Sequence, residues 1–120
     1  MIYVFTLMDK PDSLGLRQRV RPAHKAYLAS VADRLAFAGP LTTDDGKTMI
    51  GSLLGIAFDS REAAQAWLAD EPFTRAGLYA TCQVQAFVNL WPQTAGFPPA
   101  ADLTASSPAA PATSTALSPA

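Results

Sequence analysis

The sequence predicts an α+β domain: one antiparallel four-stranded sheet with two helices on one face, in the order βαββαβ. Three observations lead there. Cys82, Val84, Ala86, Val88 and Leu90 alternate with Thr81, Gln83, Gln85, Phe87 and Asn89, the period-two pattern of a strand. Two more strand-like runs, 37–43 and 49–58, flank Asp44-Asp45-Gly46-Lys47, and Asp-Gly is a strong hairpin signal. Segments of helical character lie on either side of that hairpin.

Taken in order, Ile2 to Met8 is an apolar, β-branched and aromatic run closed by Asp9-Lys10-Pro11, hence the first strand. Asp12 to Arg21 lacks strand character and starts as a short helical turn. Pro22 interrupts it, and proline is tolerated in a helix's first turn, so a helix is expected from Pro22 to about Leu35. Leu28, Val31, Ala32 and Leu35 form its apolar stripe. Phe37 to Thr43 and Met49 to Phe58 are the central hairpin, with Gly51 and Gly55 marking a bulge or a close backbone approach. Ser60 caps a helix over Arg61 to Ala69, with Glu62 in its first turn. Pro72 ends it, Phe73 to Gly77 adds one helical turn, and Tyr79 to Trp91 is the last strand, with Cys82 expected inward as a buried thiol.

This order is the ferredoxin-like split unit, which leaves the second sheet face uncovered within one chain. An apolar face of that size calls for a partner, so a homodimer through the sheet face is expected. The folded domain is placed at residues 1–95. Residues 96–120, rich in Pro, Ala, Ser and Thr, are expected to be a disordered tail, because small side chains bury too little area to offset ordering costs of about 1–2 kcal/mol per residue. A formal charge of −1 gives no reason to expect nucleic acid or an anionic membrane. No apolar run approaches the roughly 20 residues that span a bilayer. The N-terminus does not read as a signal peptide and Cys82 is the sole cysteine, so a cytoplasmic location is expected.

The chemistry centres on the single histidine. His24, two residues after Pro22, would sit in a helical first turn, where the local positive potential disfavours imidazolium and free N–H groups can hold an anion. Arg17, Arg19 and Arg21 precede it at alternate positions, and Arg19 and Arg21 are the candidates to bind that anion. Asp70 and Glu71 stand before Pro72, which pushes Glu71 into an extended, directed conformation. A carboxylate bonded to an imidazole fixes its tautomer and raises its basicity, and spacing leaves open which of the two reaches His24. Tyr27, on the same helical face, is a candidate pocket wall or hydroxyl donor. Ser52 offers a hydroxyl without a Gly-x-Ser-x-Gly elbow around it. Asp44 and Asp45 read as turn residues. With no phosphate loop, dinucleotide fingerprint or His/Cys cluster, neither cofactor nor metal is expected.

At these residues the sequence resembles the YCII-related (YciI-like) family of small ferredoxin-like proteins. The matching pieces are Ile2-Tyr3-Val4, Arg21-Pro22-Ala23-His24, Ala38-Gly39-Pro40, Gly51-Ser52, Ala63-Ala64-Gln65-Ala66-Trp67, and Pro72-Phe73 followed by Ala76-Gly77-Leu78-Tyr79. Together they cover about residues 1–91. The resemblance implies a dimeric α+β barrel type of fold and a pocket built on a histidine and an aspartate. His24 carries over. Where the family has aspartate before Pro-Phe or Pro-Tyr, this chain has Glu71, with Asp70 one position earlier. The family includes a dehydrochlorinase of chloroaromatic breakdown.

Two functions follow. One is a small cofactor-free lyase or isomerase in which His24 abstracts a proton from a small acidic or aromatic molecule. The other is a non-catalytic dimeric domain that binds a small anion.

Overall fold

The structure, a computed structural model, describes residues 1–101; the expected tail from residue 102 onward lies outside the described residues. The elements are β1 (Ile2–Asp9), α1 (Leu14–Ala29), β2 (Leu35–Thr42), β3 (Met49–Ala57), α2 (Arg61–Ala69), α3 (Pro72–Arg75) and β4 (Tyr79–Phe87). The sheet order is β2-β3-β1-β4, and every neighbouring pair is antiparallel. This is the ferredoxin-like arrangement. Tyr3, Phe5 and Leu7 of β1 and Leu54 and Ile56 of β3 point to one face, where they pack against Leu28, Trp67, Leu68 and Phe73 of the helices. Site and core therefore share that face.

The helix boundaries correct the sequence reading. One continuous helix runs through Pro22, where a helix start was expected. Pro22 lacks the N–H that would bond the carbonyl of Gln18, but both residues are exposed, so water can serve that carbonyl. Arg17, Arg21, His24 and Leu28 are instead the buried stripe of α1, at offsets of four, three and four. The helix stops at Ala29 rather than near Leu35; Ala32–Arg34 form a 3-10 turn and Leu35 already belongs to β2.

Two further expectations change. β4 ends at Phe87, not Trp91, because β1 begins at Ile2 opposite Phe87 and offers no later partner. Cys82 keeps the inward register, opposite Leu7, but is exposed, since β4 is an edge strand most of whose residues stay exposed. Burial of its near side, then the charge of Glu71, raises its pKa.

The hairpin, α2 and the turn into β4 follow local chemistry. Gly46 takes φ +76° in the turn, and Asp45 accepts there from the Thr43 hydroxyl at 2.6 Å and the Lys47 N–H at 3.0 Å. Asp45 is thus a turn residue. The Ser60 hydroxyl accepts from Ala63 N–H at 3.1 Å as the cap of α2. Gly77, at φ +78°, turns the chain out of α3 and delivers Leu78 and Tyr79 to the core.

Candidate functional site

Glu71 is fixed by its own neighbours. Proline at 72 holds it extended, at φ −70° and ψ 135°, and also occupies the first position of α3. Its carboxylate folds forward to cap that helix, Oε2 accepting from Phe73 N–H at 3.1 Å. The same oxygen lies 2.5 Å from His24 Nδ1, delivered from the buried stripe of α1. Oε1 accepts from the Tyr79 hydroxyl at 3.2 Å. Three donors thus converge on a carboxylate that contributes no exposed surface.

The histidine's tautomer follows. An ionised carboxylate only accepts, so Nδ1 carries the proton. Nε2 is buried and has no hydrogen-bond partner among the described residues. A proton there would be a buried donor without an acceptor, so the bare nitrogen is favoured. The ring is held by stacking on Phe73, with centroids 4.1 Å apart and planes 21° apart. The result is an oriented imidazole, bonded through Nδ1 and without a partner on Nε2 among the described residues.

Arg17 closes the other side of Phe73, its guanidinium 4.6 Å from the ring centroid. It forks onto Asp9, Nε to Oδ2 at 2.7 Å and Nη2 to Oδ1 at 3.2 Å, and Nη2 also donates to Ser52 Oγ at 2.7 Å. The Ser52 hydroxyl accepts there and keeps its own proton to donate. Burial, then the charge of Glu71, raises the Tyr79 pKa far above the usual phenol range, so it remains a donor. Asp9, Arg17 and Ser52 thereby form one hydrogen-bonded chain and Tyr79, Glu71 and His24 another, with the Phe73 ring in contact with both.

The structure brings His24, Glu71 and Ser52 together and buries Arg21 one turn before His24. It sets Asp70 apart: that carboxylate is exposed and faces Arg75 at 3.4 Å. Arg19 is exposed on α1, away from the buried stripe. Tyr27 stacks on Trp67, with centroids 5.0 Å apart, and donates to the Trp67 carbonyl at 2.8 Å, so it joins α1 to α2. The expected anion site at a helix start beside His24 does not exist, because His24 lies well inside α1.

Sequence reasoning missed Asp9, Phe73 and Tyr79 as site residues and passed over Arg17 for its neighbours. The spacing of Arg17, Arg21, His24 and Leu28 was the available signal, masked by reading Pro22 as a helix start. Among the described residues no group of three His, Cys, Asp or Glu side chains could hold a metal ion. No helix of the described residues is long and apolar enough to cross a membrane.

Comparison with known proteins agrees with the fold. The family model of the YCII-related domain matches residues 1–88. Protein YciI of Escherichia coli O6:H1 is 42% identical over 98 residues, spanning 76% of this chain and all of that protein. An uncharacterized protein of Haemophilus influenzae is 34% identical over 98 residues, with the same coverage. Among solved structures, the 5-chloro-2-hydroxyhydroquinone dehydrochlorinase of Burkholderia phenoliruptrix AC1100, in complex with 2,5-dihydroxybenzoquinone, superposes with a TM-score of 0.69 at 32% identity, covering 73% of this chain and 94% of that one.

Proposed function

The chain belongs to the YCII-related family, and from that premise we propose that it is a small, cytoplasmic, cofactor-free enzyme whose His24 removes a proton from a small acidic or aromatic molecule. The observation that supports this most is the bare, buried Nε2 on a ring whose other nitrogen is bonded to Glu71. In the proposed step Nε2 takes a proton from a carbon next to a carbonyl, and the C–H electrons form the enolate double bond. Isomerisation returns the proton to another carbon. Elimination instead expels the leaving group from the neighbouring carbon with its bonding pair, so that HX is lost overall. Glu71 stabilises the imidazolium that forms, and Tyr79 and Phe73 N–H keep the carboxylate aimed. His24 contributes no exposed surface, so substrate entry requires neighbouring side chains to part.

The similar solved structure is a dehydrochlorinase, which favours elimination of chloride as the first reaction to assay. An anionic substrate and a homodimer through the uncovered sheet face belong to the same proposal. The pairing of Arg17 with Asp9 leaves that cation little attraction to spare for a substrate anion. The test is turnover of chlorinated and unchlorinated hydroxyquinols and small enolisable acids, followed by chloride release and by exchange of C–H for solvent deuterium. We expect His24→Gln and Glu71→Gln to lower the rate by about 10²–10⁴-fold, the usual worth of a positioned base, with the circular dichroism of the parent retained. Turnover unchanged in folded His24→Gln would overturn the proposal.

A further inference from the structure

The family match stops at residue 88, and the chain beyond it is unlike the rest of the surface. Val88, Leu90, Trp91 and Phe97 are 62%, 81%, 81% and 68% exposed, and no residue from 88 through 101 is charged. The segment leaves β4 at one edge of the sheet and reaches β2 at the other, where Phe97 stacks on Phe37 with ring centroids 6.1 Å apart. Three strand spacings of about 4.8 Å are easily bridged by ten residues, so 88–97 is a strap from edge to edge.

Its far end rests on the uncovered face. Phe37 pairs with Gly55, Gly55 with Val4 and Val4 with Gln85, which places all four positions on the side opposite the helices. A Cβ at Gly55 would meet the Phe37 ring, so that ring lies flat on the sheet there. Read through the register, this face carries no Asp, Glu, Lys or Arg on any strand. A twofold interface brings a patch against its own copy, where charges would meet their like, and interface centres are depleted in charge. The four strap side chains present on the order of 600 Å², to which the sheet face adds, against about 800 Å² per partner in a stable interface.

We propose that residues 88–97 form the contact layer of a homodimer, with Leu90 and Trp91 of each copy buried against the strap and outer sheet face of the other. The homodimer is part of the reading above; the new element is that this strap, beyond the family region, seals it. The test is sedimentation velocity of the full chain over a dilution series, beside Leu90→Ser/Trp91→Ser, two changes at exposed positions. A parent dimer whose dissociation constant rises about 100-fold or more in the double variant is expected, since a buried Trp is a typical hot spot. As a second readout, Trp67→Phe leaves Trp91 as the sole indole, shielded from acrylamide in concentrated solution and quenched on dilution. A dimer unaffected by the double substitution, with Trp91 freely quenched, overturns the strap and leaves the homodimer standing. A monomeric full chain overturns both, while turnover dependent on His24 is judged separately.

Discussion

Glu71 accepts from a backbone N–H, a phenol and an imidazole, and each donor comes from a different element. Its rigidity therefore depends on its neighbours, and those depend on the buried pair of Arg17 and Asp9. Removing one partner of a buried pair strands the other charge, so Asp9→Asn is expected to destabilise the fold by about 3–5 kcal/mol, measured by urea unfolding. A loss below 1 kcal/mol would mean that water reaches Arg17. At this scale the sequence offered His24 and Glu71 as candidates but could not join them. His24 and Glu71 are 47 residues apart, and only tertiary packing decides that Glu71 turns inward while Asp70 turns out. Arg17 was passed over for Arg19 and Arg21 because an arginine in a helix's buried stripe looks polar until its ion pair and its ring contact are seen.

Among the elements, α1 departs most from expectation. Pro22 sits inside it with an exposed carbonyl left unpaired one turn earlier, and interior proline costs a helix roughly 3 kcal/mol relative to alanine. Pro22→Ala restores the bond to Gln18 and should raise stability by on the order of 1 kcal/mol, the greater freedom of the unfolded chain offsetting the rest. Unchanged or lower stability in urea would show that Pro22 does not weaken the helix. The strands were more legible, because alternation and the Asp-Gly turn are local signals. α2 and the turn of α3 were legible through Ser60 and Pro72. The helix through Pro22 was not, since solvation of the broken bond is a property of which face points outward. Gly51 gives a second check: a Cβ there meets the Leu7 carbonyl of the neighbouring strand, so Gly51→Ala should cost about 1–3 kcal/mol.

For the whole molecule, the polar chain beneath the helices couples stability to alkaline pH. Tyr79 keeps its proton in the fold well past the value near 10 at which the unfolded chain releases it. Below that pH its contribution is fully present; above it the folded state binds more protons than the unfolded, and stability falls as pH rises. Melting temperature should therefore decline above pH 10, and Tyr79→Phe should flatten that decline while costing about 1 kcal/mol at neutral pH through the lost bond to Glu71. An identical alkaline slope in the variant would refute this assignment. The two-layer architecture and its uncovered face were foreseeable from element order alone, whereas the strap across that face was hidden by its irregular backbone.

Everything proposed for His24 rests on a ring whose Nδ1 is bonded to Glu71 and whose Nε2 is bare. With a single histidine in the sequence, a long-range proton–nitrogen correlation spectrum at neutral pH reads both ring nitrogens without assignment. Nδ1 should be protonated and Nε2 unprotonated, a preference that survives Asp70→Asn and weakens in Glu71→Gln. A proton on Nε2, or an average over both nitrogens indifferent to Glu71→Gln, would contradict it.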